Sequence, residues 1–198
     1  MIETTLTNKS KRVVIHRDAP TVIIGERINP TGRKEVLAAL EAGDFESVRR
    51  DALAQVAAGA TVLDINAGVP GADEAALLEQ IIKEVIAVTD VPLCIDTVNP
   101  KALEAALNLY KGKPLVNSVN GEMKSLETVL PLVKEHGAAV IGLCIDSNGI
   151  PASPEERVTV AEKIIKRATQ LGIPIEDIVI DPLAMAMSAD HKAGWVTL

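Results

Sequence analysis

This chain of 198 residues is long enough for one folded domain with a sizeable core, because 47% of its residues are hydrophobic. Only 2% of the residues are aromatic, so the core must be built from aliphatic side chains, as is usual for parallel β-sheets. The net charge of −7 and the shortage of aromatic side chains argue against nucleic-acid binding.

Other features of the sequence exclude further classes of protein. No run of about 18 apolar residues is present, so we expect no membrane-spanning helix and no membrane partner. The polar start, MIETTLTNKSKR, contains no apolar signal core, which predicts a cytoplasmic protein. Cys94 and Cys144 lie within apolar runs and are predicted to be core residues rather than disulfide partners. Neither the cysteines nor the scattered His16, His136 and His191 form a zinc site or a nucleophilic triad, so we expect no metal site.

Short apolar runs alternate with amphipathic segments along the chain, and this alternation predicts an α/β fold of about six βα units. We expect an N-terminal arm at 1–20, in which KRVVIH forms one strand of a hairpin, followed by a single domain at 21–198. The predicted strands are 21–26, 61–65, 92–96, 115–117, 139–144 and 177–181. The predicted helices are 34–58 with a break near Gly43, 72–88, 100–110, 123–136, 154–171 and one that starts near Ser188.

Helix ends carry recognisable signals. Acidic residues in the first turns at Asp73 and after Ser153 predict helix starts, with Ser153 as an N-cap before Pro154. Glycines that follow the helical patterns predict left-handed residues at the helix C-termini, namely Gly59, Gly112, Gly137 and Gly172.

Acidic or amide side chains follow most of the predicted strands, in the segments GERINP, DINAG, CIDT, VNS and VIDPL. Because the carboxyl ends of parallel strands share one rim, these side chains are expected to converge there. Some have simpler explanations: Asp64 suits a loop-organising role, GERINP suits an ordinary turn, and Asp146 with Asn148 suits an Asx turn. As a set, they predict a site for a polar, nitrogen-rich small molecule. A phosphate site would instead need Gly-rich loops and cations.

The blocks IGERINPTG, LDINAG, CIDT, LVNSVNG, IGLCIDSNGIP and IDPLAM together resemble the pterin-binding methyltransferase family, over about residues 20–192. Members include methyltetrahydrofolate:corrinoid protein methyltransferases and the folate domain of cobalamin-dependent methionine synthase. The resemblance implies a TIM (β/α)8-type barrel and a homodimer. Since about six βα units are present, we expect the barrel to be incomplete at its C-terminal side.

The resemblance also implies a reaction. The N5-methyl group of methyltetrahydrofolate would be transferred to a Co(I) corrinoid (cobalamin) carried by a partner protein. The residues expected to hydrogen-bond the pterin ring are Asp96, Asn117 and Asp181. Those expected to line the same cavity are Glu26, Asn29, Asp64 and Asn66.

Protonation of N5 would improve a poor leaving group, and we expect Asp96, through water, to support that proton and Asn117 to act beside it. In the family an Asn on the seventh strand commonly contacts N5. That strand falls outside this sequence, so the chain alone is expected to lack the complete methyl-transfer machinery.

Two alternatives remain open. One is a dihydropteroate synthase-like enzyme, which shares the fold and the pterin pocket. Its Glu-Ser-Thr-Arg-Pro run and its Asn-x-Thr-Pro-Asp-Ser-Phe signature are both absent here. The other is a folate-binding fragment without turnover. Methyl transfer from methyltetrahydrofolate to free cob(I)alamin distinguishes the first hypothesis from both alternatives.

Overall fold

A computed structural model describes residues 2–9, 11–31, 33–184 and 193–197. It contains two compact units, Met1–Asn117 and Ser118–Leu198. In both units, parallel strands alternate with helices, which confirms the predicted α/β class. In the described part of the chain, no helix is long and apolar enough to cross a membrane.

The first unit begins with an antiparallel hairpin of β1 (Thr4–Asn8) and β2 (Lys11–Ile15), which confirms the predicted terminal hairpin. The hairpin is bonded to the rest of the unit near the starts of two later strands. The Asn8 side chain donates to Val91 O at 3.1 Å, and the backbones of Thr7 and Lys113 exchange hydrogen bonds. The hairpin therefore packs at the N-terminal ends of these strands.

The strands of the first unit are parallel and pair in chain order. They are β3 (Ile24–Ile28), β4 (Val62–Asn66), β5 (Leu93–Asp96) and the start of β6 (Leu115–Asn120). Strand β4 is buried along nearly its whole length, as a strand covered on both faces should be. Strand β3 lies two to three residues later than predicted, and its pairing with β4 shifts register between Gly25 and Ile28.

Four helices connect these strands: α1 (Lys34–Glu41), α2 (Glu46–Ala57), α3 (Glu74–Val88) and α4 (Pro100–Leu109). The predicted break near Gly43 is confirmed, and Gly43 has a φ of 71°. Asp73 caps α3 by accepting from the backbone N–H of Ala76, as expected. The side chains that α3 buries recur at helical spacing: Leu78, Ile81, Ile82 and Val85.

The second unit holds the end of β6, then β7 (Ala139–Leu143) and β8 (Ile178–Asp181), which pair in parallel. Its helices are α5 (Met123–His136), α6 (Pro154–Gln170) and α7 (Ala193–Thr197). A capping box between Ser153 and Glu156 starts α6, which confirms the predicted cap. The predicted helix start near Ser188 lies outside the described residues.

Two details differ from the sequence predictions. Strand β6 continues to Asn120 rather than ending at residue 117. The prediction stopped early because the polar side chains at the end of this half-buried strand interrupt the apolar run. Gly59, Gly137 and Gly172 have positive φ as predicted, but Gly112 does not. Gly112 is needed for space instead, since a Cβ atom there would lie 2.1 Å from the carbonyl oxygen of Thr7 in the hairpin.

Candidate functional site

Three polar side chains lie side by side at the carboxyl ends of neighbouring strands in the first unit. Asn66 on β4 pairs in register with Asp96 on β5, and Asp96 pairs with Asn117 on β6. Residues in register on parallel strands project from the same face of a sheet. These strand ends therefore place one carboxylate between two amides, as the sequence pattern predicted for this rim.

Each of the two amides in this row donates to a carboxylate on another strand: Asn66 to the neighbouring β5, and Asn117 across β5 to β4. Asn66 Nδ2 donates to Asp96 Oδ2 at 2.9 Å, and Asn117 Nδ2 donates to Asp64 Oδ1 at 3.2 Å. Asn66 Oδ1 also accepts from the backbone N–H of Gly68, which fixes the orientation of this amide. The pairs hold the four side chains in place while leaving carboxylate oxygens available to a ligand.

Asp64 is the most deeply buried member of the site, with 3% of its surface exposed. Burial raises the pKa of its carboxyl group to about 6, against the lowering effect of hydrogen bonds from the Cys94 thiol and the Asn117 amide. The charges of Asp96 and Glu26 also raise this pKa. Among the described residues, Asp64 Oδ2 has no hydrogen-bond partner. This buried carboxyl group therefore takes up a proton at a higher pH than an ordinary aspartate does.

Asp96 is half-buried, and its pKa is raised as well. Partial burial is the main cause, with smaller contributions from the charges of Glu26 and Glu74, while the bond from Asn66 lowers the pKa. The loop beyond Asp96 is tied to the start of α3, because the Thr97 hydroxyl donates to Glu74 and Asn99 Nδ2 donates to Glu74 at 3.1 Å. Asp96 thus sits on a braced strand end with an elevated affinity for a proton.

Glu26 lies within β3, and Asn29 lies in the loop that follows this strand. Asn29 Nδ2 donates to Glu26 Oε1 at 2.8 Å, and Asn29 Oδ1 accepts from the backbone N–H of Thr31 at 2.9 Å. Glu26 is exposed, yet its charge reaches both Asp64 and Asp96. The structure therefore brings together, within the first unit, Glu26, Asn29, Asp64, Asn66, Asp96 and Asn117.

Asp181 belongs to the second unit, where it ends β8. Its Oδ1 atom accepts from the backbone N–H of Leu183 at 2.7 Å, and its backbone carbonyl accepts from the N–H of Cys144. One carboxylate oxygen is thus committed to the turn that follows the strand. The nearby Asp146 accepts from the N–H of Asn148 at 2.8 Å, so the Asx turn is confirmed.

Sequence reasoning missed residues that support the site. The sequence predicts Cys94 to be a core residue, and it is buried, but its thiol also bonds Asp64 from the paired position on β5. Its position two residues before Asp96 was the available signal, because alternate strand residues share a face. Arg157, buried beside the turn that follows Asp181, gave no signal, because its spacing on α6 is that of an ordinary amphipathic helix.

The chemistry of this rim is that of hydrogen-bond acceptors with excess negative charge. The first unit gathers three carboxylates there, and the pKa values of two of them are raised, mainly by burial and further by the charges of neighbouring carboxylates. Such a site suits a ligand rich in N–H donors, or one that becomes protonated when bound. No group of three or more His, Cys, Asp or Glu side chains suited to a metal ion occurs among the described residues.

Relatives of known name share much of this sequence. The chain is 33% identical over 177 residues to a methylcorrinoid:tetrahydrofolate methyltransferase from Eubacterium limosum, a match that covers 87% of this chain and 64% of the relative. It is 30% identical over 182 residues to a methionine synthase from Mycobacterium tuberculosis, covering 89% of this chain and 15% of that protein. The chain thus spans about two thirds or less of the length of these relatives.

Solved structures with a similar fold include dihydropteroate synthases. That of Xanthomonas albilineans with 4-aminobenzoic acid superposes with a TM-score of 0.65 at 22% identity, covering 92% of this chain and 67% of the other. That of Thermus thermophilus gives a TM-score of 0.58 at 26% identity, covering 90% and 64%. The fold is therefore the predicted α/β type, matching part of a TIM-type barrel.

A sequence model of the family described as pterin binding enzyme matches residues 25–195. The matched stretch begins in β3, before Glu26, and continues past Asp181, so it contains all the predicted site residues. A match over most of the chain shows that this chain belongs to the pterin-binding enzyme family.

Proposed function

We propose that this chain is the pterin-binding portion of a methyltransferase that moves a methyl group between N5 of tetrahydrofolate and a corrinoid carried by a partner protein. The observation that carries the proposal is the row of paired amides and carboxylates at the rim of β4, β5 and β6. The similarity to a methylcorrinoid:tetrahydrofolate methyltransferase supports the choice of reaction.

The pterin ring presents several N–H donors along one edge, and carboxylates are the acceptors best suited to them. In this proposal Asp181 accepts from N3–H and the 2-amino group, using the oxygen that does not bond Leu183 and sharing the other. Asp96 and Asn117 bond the remaining ring nitrogens. Glu26, Asn29, Asp64 and Asn66 line the same cavity and keep these groups in orientation.

The residues also manage a proton at N5. The N5 amine leaves more readily when it is protonated, and in the reverse direction N5 must release its proton to a nearby acceptor once it has taken the methyl group. Asp96 has a raised pKa, and we propose that it supports the N5 proton through water. Asp64 accepts from the Asn117 amide, and its own pKa is raised to about 6 by burial, so its charge state affects the groups around the ring.

The corrinoid would supply the metal centre that gives or takes the methyl group. The fit of this chain to such a group lies in access: Asn66, Asp96 and Asn117 are half-buried rather than enclosed, so a methyl group at N5 stays reachable from outside. The name of the relative from Eubacterium limosum gives the transfer in the direction from methylcorrinoid to tetrahydrofolate. Because both directions cross the same transition state, these residues serve either direction.

Binding and turnover measurements test the proposal in sequence. We expect 5-methyltetrahydrofolate to bind in a calorimetric titration, and methyl transfer to free cob(I)alamin to follow in an absorbance assay. Binding without any transfer would favour a folate-binding role alone. Condensation of 4-aminobenzoate with a hydroxymethyldihydropterin diphosphate, in place of methyl transfer, would favour the dihydropteroate synthase alternative.

The family resemblance also supports a homodimer. Analytical ultracentrifugation of the protein tests this proposal directly. A sedimenting species of one chain at all concentrations contradicts it.

A further inference from the structure

A buried arginine in the second unit gathers the loops that follow two neighbouring strands. Arg157 projects from the first turn of α6 and has 4% of its surface exposed. Its Nε atom donates to Pro151 O at 3.1 Å, in the loop after β7. Its Nη1 atom donates to Pro182 O at 2.5 Å and to Leu183 O at 2.7 Å, in the loop after β8.

The partners of this guanidinium are unusual for a buried arginine. A buried charge is costly unless its donors are satisfied, and a carboxylate is the common partner. Among the described residues no carboxylate forms an ion pair with Arg157; its bonds go to backbone carbonyls and to the Thr197 hydroxyl at 3.2 Å. Because the same guanidinium bonds carbonyls in the loops after β7 and β8, it ties these two loops to the start of α6.

The loop after β8 needs such support. Leu183 has a φ of 64°, a left-handed conformation that is unfavourable for a residue with a Cβ atom. Its N–H donates to Asp181 Oδ1 at 2.7 Å while its carbonyl accepts from Arg157. The same strained residue is thus held from one side by the arginine and from the other by the carboxylate.

We propose that Arg157 is a positioning residue that fixes the carboxylate of Asp181 by bonding the two carbonyls that follow it. The inference rests on the proposed function, in which Asp181 accepts from the pterin N–H donors. Arg157 itself does not touch the ligand. Its role is to keep the turn at Leu183 in the conformation that leaves one Asp181 oxygen free and correctly directed.

The reactivity of the Cys144 thiol can be used to follow the conformation of the same loop when no ligand is bound. Cys144 has 1% of its surface exposed, and its backbone N–H donates to Asp181 O. It lines a cavity of about 160 Å³ together with Arg157, Pro182 and Thr197. If Arg157 holds this loop, its removal opens the cavity and exposes the thiol to modifying reagents.

The experiment compares Arg157→Ala and Arg157→Lys with the matched control Arg167→Ala. Arg167 lies on the same helix and is paired with Glu127 at the surface. We expect Arg157→Ala to raise the Kd for 5-methyltetrahydrofolate about tenfold or more and to accelerate modification of Cys144, followed by mass spectrometry. Added methylguanidinium should reverse both effects. Arg157→Lys should have an intermediate effect, because one ammonium cannot span both loops, and Arg167→Ala should have none.

A double variant separates positioning from a general loss of stability. If Arg157 acts through Asp181, Arg157→Ala should add little to the weakened binding of Asp181→Asn. Additive losses, or unchanged binding by folded Arg157→Ala, would overturn the proposal. If Arg157→Ala does not fold, wild-type affinity in Arg157→Lys would overturn it equally.

Failure of the proposed role of Arg157 can be distinguished from failure of the proposed methyltransferase function. If the wild-type protein does not bind 5-methyltetrahydrofolate, the methyltransferase proposal fails. The effect of Arg157 on the Asp181 turn is then judged by Cys144 modification and its reversal by methylguanidinium. Unchanged modification in Arg157→Ala would overturn that effect too.

Discussion

The carboxyl groups of this chain differ in how they are compensated. Asp181 bonds a backbone N–H and stands beside loops held by an arginine, whereas Asp64 and Asp96 bond only amides and a thiol. Burial, with smaller contributions from neighbouring carboxylates, raises the pKa of Asp64 and of Asp96, so both take up protons more readily than ordinary carboxyl groups.

Replacing Asp181 with Asn should weaken pterin binding by about 1.5–3 kcal/mol, because a charge-assisted pair of hydrogen bonds is lost. The amide oxygen can still accept from Leu183 N–H, so the turn should survive. Calorimetric titration with 5-methyltetrahydrofolate measures the effect, and Asp90→Asn, a change at an exposed carboxylate, is the control. Unchanged affinity in folded protein would remove Asp181 from the pocket.

Replacing Asp96 with Ala should lower kcat more than it raises KM, because support for the N5 proton matters mainly in the transition state. We expect a loss of about 10²-fold in kcat, the usual lower range for general acid–base catalysis. Asp96→Asn should also lose turnover, although it can keep a bond to Asn66. Steady-state assays with cob(I)alamin decide; a higher KM with unaltered kcat contradicts the catalytic role.

The buried carboxyl group of Asp64 makes stability depend on pH in a defined direction. Its pKa in the folded protein is about 6, raised from 3.8 mainly by burial, with Asp96 and Glu26 facing it. The folded state thus binds a proton that the unfolded state releases between these two values. The free energy of unfolding should fall as pH rises from about 4 to about 6, by up to about 3 kcal/mol.

Urea unfolding at about pH 4 and about pH 7 measures this dependence. Asp64→Asn removes the titrating group while keeping a similar shape, so the variant should be less sensitive to pH over this range. The exposed pair Glu79–Lys83 offers a control in Glu79→Gln. An unchanged pH dependence in Asp64→Asn would assign the effect to other carboxyl groups.

At the scale of the elements, helix α6 supports the second unit through its first turn. Ser153 Oγ accepts from Glu156 N–H, and Glu156 bonds the Ser153 N–H in return, one residue before Arg157. The cap therefore sets the start of the helix from which Arg157 reaches both loops. The position of the arginine depends on this local signal as much as on the core beneath it.

Ser153→Ala should lower the free energy of unfolding by about 1 kcal/mol, because the first turn loses its reciprocal cap. Chemical denaturation followed by circular dichroism measures the loss. Thr159→Ala is the control on the same helix, since the Thr159 hydroxyl only bonds the Glu155 carbonyl one turn back. Equal stability of the two variants would show that the cap contributes nothing.

At the scale of the whole molecule, the sequence predicted the order and type of the elements well. Apolar runs such as VPLCID are unambiguous strands, and capped helices such as 154–170 carry their own boundary signals. Predictions failed where contacts distant in sequence decide the outcome. Gly112 is constrained by its contact with the hairpin rather than by its helix. The end of β6 could not be predicted because polar side chains facing the rim interrupt the apolar pattern of the strand.

The candidate site was predictable only in part, for the same physical reason. Strand alternation and the shared rim of parallel strands suffice to group Asp64, Asn66, Asp96 and Asn117. The sequence spacing does not reveal the bond between Cys94 and Asp64, which depends on how deeply both side chains are buried. It also does not reveal the bonds from Arg157 to the loop after β8, which depend on the conformation of that loop. The roles of all these residues toward a pterin stay predictions.

The N-terminal hairpin has a kinetic consequence for the first unit. Its bonds to Val91 and Lys113 cover the chain just before β5 and β6, at the far end of the strands from Asp96. A folate held at the rim would then be approached from the carboxyl ends of these strands, the side on which a partner protein would also dock. Association should be sequential, with the folate arriving first and departing last. Product-inhibition patterns would reveal that order as competition between the two folates alone.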